Sequence, residues 1–150
     1  MCEPRDTGRL TTIETAIEKW KREGVSLLPP LAPAAVAAKL SLLGRPWSRD
    51  LQALYAATGG MADGESDSHF WSLWPLEKVI SETTRYNRPY ILFADFLINA
   101  HLYCLKYEND EESSVAIDYV NGDEPKTVAR SLDEFFRVFD SDAGKVEMFE

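Results

Sequence analysis

His101 and Cys104 lie three residues apart, and a thiol near an imidazole is how a cysteine nucleophile is activated. The residues around them alternate, with His101, Tyr103, Leu105 and Tyr107 against Leu102, Cys104 and Lys106, and so read as a strand. On a strand, a separation of three sends the two side chains to opposite faces. No dyad is expected, and Cys104 reads as a small core residue. A metal centre finds no better support. His69 and His101 are the only histidines, and with Cys104 and Asp95 they show neither Cys-x-x-Cys nor His-x-x-x-His spacing. No metal and no cofactor are expected. Asp63, Glu65 and Asp67 alternate as the first ligands of a calcium loop do, but the twelfth position, where a bidentate Glu belongs, is Trp74. Paired carboxylates for hydrolysis need burial to raise one pKa. The clusters at 63–67 and 108–112 sit in loops flanked by Gly and Ser, which read as solvated. With no catalytic constellation, the chain is expected not to be an enzyme.

What these carboxylates can do is meet a basic partner. The net charge is −9, and it is unevenly placed. Residues 1–107 hold 12 Lys+Arg and 12 Asp+Glu, whereas residues 108–150 hold 4 and 13. An acidic C-terminal third lacks the basic footprint that nucleic acid requires. It suits electrostatic steering of a cationic protein, although acidic surface also serves plain solubility. The candidate contacts are Asp63, Glu65, Asp67, Glu108, Asp110, Glu111, Glu112, Asp118, Asp123 and Glu124, on loops expected to face the partner. Phe70, Trp71 and Trp74 form an aromatic run that supplies either core or interface. Asp95, in the middle of an apolar strand, needs a hydrogen-bond partner if buried and is expected to be a structural hub.

The elements that position these residues follow from periodicity. Ile13, Ile17 and Trp20 mark one face of a first helix, with Thr11 and Glu14 at capping-box spacing and Gly24 at its end. Leu28-Pro29-Pro30 forbids a helix and reads as an extended linker lying on the core. Helices are expected over about 34–43 and after Pro46, the latter capped by Ser48 and stopped by Gly59-Gly60. Strands are expected at 70–76, 91–98, 101–107, 115–120 and 126–130, with a helix at about 76–86 and an Asn121-Gly122 turn. Ser131 and Glu134 cap a last helix whose face is Leu132, Phe135, Phe136 and Phe139. Helices first, strands next and one closing helix indicate an α+β fold with a central, mostly antiparallel sheet flanked by N-terminal helices and a C-terminal helix.

At 150 residues, one domain over 11–150 is expected behind a disordered tail, 1–10. The N-terminus has no apolar segment, and two free cysteines suit a reducing compartment, so a cytoplasmic protein is expected, with no membrane segment. A monomer or a weak homodimer is expected.

The order of these features resembles the SUKH superfamily, the Smi/Knr-like proteins. The resemblance runs from about Ile13 to Phe139. It is carried by Leu28-Pro29-Pro30, Thr58-Gly59-Gly60, Phe70-Trp71-Ser72-Leu73-Trp74-Pro75-Leu76, the 91–98 run with Phe93-Ala94-Asp95, the strand from His101, and Ser131-Leu132-Asp133-Glu134-Phe135. Thr58 stands where an Asn is frequent, and Ala32 to Ala38 is unusually Ala-rich. The resemblance implies an α+β fold and a protein-binding role. Many bacterial members look like immunity proteins that neutralise a polymorphic toxin, often a nuclease, by stoichiometric occlusion. Eukaryotic members are regulatory scaffolds. The resemblance implies no shared catalytic set.

Overall fold

Apolar residues at helical spacing need a surface to cover, and here it is a sheet. The structure, a computed structural model, describes residues 12–62, 64–68, 70–86, 89–96, 101–119 and 124–141. The expected tail, the Thr11 cap, the Asn121-Gly122 turn, and the candidate residues Asp63, His69 and Asp123 lie outside the described residues. The described elements are α1 (Thr12–Arg22), α2 (Pro33–Ser41), α3 (Arg49–Ala57), β1 (Trp71–Leu73), α4 (Leu76–Tyr86), β2 (Ile91–Phe96), β3 (His101–Tyr107), β4 (Ser113–Asp118), β5 (Lys126–Ala129) and α5 (Leu132–Ser141). The strands form one sheet in the order β1-β2-β3-β4-β5, with every neighbouring pair antiparallel. The fold is α+β with a central sheet.

One face of the sheet is aromatic. Trp71 of β1 stacks on Trp20 of α1 with ring centroids 5.8 Å apart. It also meets Phe93 of β2, Tyr103 of β3, and Phe135 and Phe136 of α5, all within 6.2 Å. The first and last helices therefore close over the same face, joined at their outer ends by Thr12 Oγ1 donating to Asp133 Oδ1 at 2.9 Å. The next row across the sheet pairs Ser72 with Asp95, Asp95 with Leu102, and Leu102 with Asp118. Successive residues of a strand point to opposite faces, so this row points away from α1 and α5.

The register between β2 and β3 shifts between Leu92 and Ala94, and one side chain and one backbone amide take up the irregularity. Thr83 Oγ1 of α4 accepts from the Leu92 amide at 3.0 Å and donates to its carbonyl at 3.4 Å, while the Trp74 amide donates to the Phe93 carbonyl at 3.0 Å.

Two expectations change in form. The first strand is three residues, not seven, because Phe70 has φ 65° and Pro75 cannot continue a ladder. Gly59 and Gly60 do follow α3, but close packing explains them better than helix termination. A Cβ on Gly59 would lie 2.5 Å from the Pro29 carbonyl oxygen, and one on Gly60, where φ is 108°, 2.6 Å from that of Trp74. The Leu-Pro linker runs against this pair, as expected: Leu28 N donates to Gly60 O at 2.8 Å and Gly59 N to Leu28 O at 3.1 Å.

Candidate functional site

The register separates the acidic loops. β3 leads into the 108–112 hairpin at its Tyr107 end. Trp71, beside which Asp67 lies, aligns through Phe96 with His101 at the other end of β3. A seven-residue strand spans about 20 Å. The 64–68 segment and Asp118, which pairs with Leu102, are thus at one end of the sheet, and the hairpin is at the other. The candidate loops therefore fall into two groups at opposite ends of the sheet.

Burial removes two of the candidates from the surface. Asp67 is 5% exposed, against the expectation of a solvated carboxylate, and Asp118, expected to meet the partner, is 3% exposed. Asp67 accepts from the Trp71 amide at 3.0 Å and from Trp20 Nε1 at 3.2 Å, fixing the entry to β1 against α1. Asp118 accepts from the Tyr90 hydroxyl at 3.0 Å. Both are consumed by structure. Glu108, Asp110, Glu111, Glu112 and Glu124 are exposed, and Glu65 is half-buried with Oε1 on the Ser26 amide at 3.0 Å.

The hairpin is ordered by its own backbone and by α3. Asn109 Oδ1 accepts from the amides of Glu111 and Glu112 at 2.8 and 3.0 Å. The carbonyls of Asp110 and Glu111 accept from the first amides of α3, Arg49 N at 2.7 Å and Asp50 N at 3.2 Å. The hairpin, not the Ser48 side chain, supplies acceptors to this helix start. Arg49 pairs with Glu111 at 2.5 Å, and Ser114 Oγ holds Glu108 at 2.8 Å. Asp50, which sequence reasoning did not single out, ties the base together. Its Oδ2 accepts from the amides of Ser113 at 3.2 Å and Leu132 at 3.4 Å, and its Oδ1 from Ser48 Oγ.

At the opposite end stands Phe70. Of the aromatic run, Trp71 and Trp74 are buried, as core residues should be, but Phe70 is 60% exposed. It is the one described non-glycine residue with positive φ, a conformation costing L-residues roughly 1–2 kcal/mol. The turn from Asp67 imposes it, with the Phe70 amide donating to the Asp67 carbonyl at 3.0 Å. Glu23 borders this turn, its two carboxylate oxygens accepting from Ser68 N and Oγ, each at 3.0 Å.

The remaining chemistry is structural. Asp95, 6% exposed, accepts from Trp74 Nε1 at 3.0 Å, and Lys78 Nζ lies 4.7 Å from the centroid of the Trp74 ring. The expected hydrogen-bond partner is thus the Trp74 indole. Burial pushes its carboxyl above the ordinary 3.8, while the Trp74 hydrogen bond and the Lys78 charge pull it down. A raised acid holds its proton more tightly when folded, so its contribution to stability falls as pH rises from the ordinary aspartate value through the folded one. Urea midpoints measured across pH should show this loss in the wild type and lack it in Asp95→Asn; identical profiles would refute it.

His101 lies between Phe96 and Tyr119, at centroid distances of 5.7 and 4.6 Å, while Cys104 is fully buried on the opposite side of the strand. Among the described residues, no three His, Cys, Asp or Glu gather as metal ligands would. No described helix is long and apolar enough to cross a membrane. A groove of about 300 Å³ lies between the Leu28-Pro29 linker and Pro75-Leu76, bordered by the Lys39–Glu77 ion pair at 3.4 Å; it presents mostly apolar surface.

Set beside known proteins, the chain matches no family model and no curated sequence.

Proposed function

We propose that this chain is an immunity-type protein of SUKH kind, which binds a cationic bacterial toxin domain, such as a nuclease, one to one and occludes it. The observation that carries this reading is the 108–112 hairpin: exposed carboxylates held in place by α3 before any partner arrives. Preorganised charge costs little ordering on binding, and it draws an oppositely charged partner from a distance. The element order that resembles the SUKH proteins, and the α+β sheet fold it implies, support the same reading.

The test is affinity capture from the native cytoplasm, with the bound protein identified by mass and then expressed without this chain. A single basic partner that kills cells unless this chain is supplied supports the reading. Reproducible capture of housekeeping or envelope proteins instead would favour a regulatory scaffold of the same fold. Because the hairpin acts through its field, Glu111→Lys with Glu112→Lys should lower the association rate about tenfold in low salt and leave dissociation unchanged. The difference should shrink as salt rises toward a Debye length of about 8 Å. An association rate unchanged by the double reversal removes the hairpin from the mechanism.

A further inference from the structure

Phe70 is both strained and exposed, and neither property helps the folded chain. Its neighbours Trp71 and Trp74 bury fully in the same stretch, so apolar surface here has a core available to it. The turn would accept Gly at φ 65° without steric penalty, and Asn at less cost than Phe. A bulky aromatic held there is presented outward by a fixed backbone: Asp67 clamps both the Phe70 amide and the Trp71 amide, and Trp20 Nε1 clamps Asp67. The carboxylates of Glu23 and Glu65 are held beside the same segment by Ser68 and Ser26. Aromatic side chains, Phe among them, are enriched at protein interfaces.

We propose that Phe70 is the anchor of a protein interface, inserting into an apolar socket on a cationic partner whose Lys or Arg side chains meet Glu23 and Glu65. This rests on the binding reading above but assigns the contact to the His101 end of the sheet, leaving the hairpin at the other end to steer. The two roles separate kinetically: steering sets association, and an anchor sets dissociation.

The experiment places a photoreactive benzoyl-phenylalanine at position 70 of the full chain in its native cytoplasm, with the same probe at Leu42, another exposed apolar position (71%), as control. The expected result is an adduct with one basic protein at 70 and none at 42. Against that protein, purified, Phe70→Gly and Phe70→Asn should raise the dissociation rate about thirtyfold with association unchanged. Both variants should melt no lower than wild type, because they relieve the backbone. No adduct above the control, an adduct with an acidic protein or a second copy of this chain, wild-type dissociation in both variants, or a melting temperature lowered by several degrees overturns the proposal. A basic partner that proves harmless to cells would end the toxin reading and leave the anchor standing. A neutralised toxin whose binding ignores Phe70→Gly would do the reverse.

Discussion

Trp71→Ala is expected to lower the free energy of unfolding by about 3–5 kcal/mol, read as a shift in urea midpoint at unchanged slope. Trp71 is fully buried at the meeting point of α1, β2, β3 and α5, touching Trp20, Phe93, Tyr103, Phe135 and Phe136. Those five rings belong to four separate elements that cannot collapse together, so truncation leaves a cavity that stays open. Against a total stability of about 5–15 kcal/mol, the variant should be near its folding limit at 37 °C. Trp71→Phe retains an aromatic contact and should lose clearly less. A loss below about 1 kcal/mol for the alanine variant would mean that the helices repack over the gap.

Asp50→Ala should cost about 2–3 kcal/mol, although Asp50 is only half-buried. One carboxylate serves three elements: α3 through Ser48, β4 through the Ser113 amide and the start of α5 through the Leu132 amide. Deleting it strands those donors and loosens the hairpin base at the same time. Asp50→Asn keeps an acceptor and should recover part of the loss. Hydrogen exchange distinguishes this from generic destabilisation: the Ser113 and Leu132 amides should lose protection before the centre of β3 does. Equal loss across the sheet would deny the residue its linking role.

Much of the architecture was legible because it rests on local pattern. The apolar face of Leu76, Val79 and Ile80 marked α4, and Ser131 with Glu134 marked the start of α5, where the Glu134 amide does donate to Ser131 Oγ at 3.0 Å. The reciprocal arm differs. Glu134 accepts from the Arg130 amide at 2.6 Å, and that bond with the Arg130 guanidinium holds its carboxyl below the ordinary range. The β3 alternation correctly set His101 and Cys104 apart.

The site was less legible, because the deciding contacts are distant in sequence. Asp67 looks solvated among Gly and Ser, yet Trp20, 47 residues earlier, buries it. Asp118 closes a strand, and it faces inward onto Tyr90, 28 residues earlier. Asp50 follows Ser48 in what looks like an ordinary helix start, so its local role hid partners 63 and 82 residues away. Phe70 gave no signal of positive φ, since the residues that usually carry that conformation are Gly, Asn and Asp. The one available hint was its place directly after an acidic turn and before a buried tryptophan.

The pairing of α1 with α5 also sets an order in time. Trp20 lies 6.2 Å from Phe136, and Thr12 bonds Asp133, 121 residues further on. During synthesis, at about 5–20 residues per second, the first helix must therefore wait at least several seconds for the partner that completes its cover. Until then its Ile17 and Trp20 stripe is exposed, along with the aromatic face of a sheet still missing strands. A chain stalled before α5 would be a sticky intermediate, so nascent-chain solubility should improve abruptly once Leu132–Ser141 clears the ribosome.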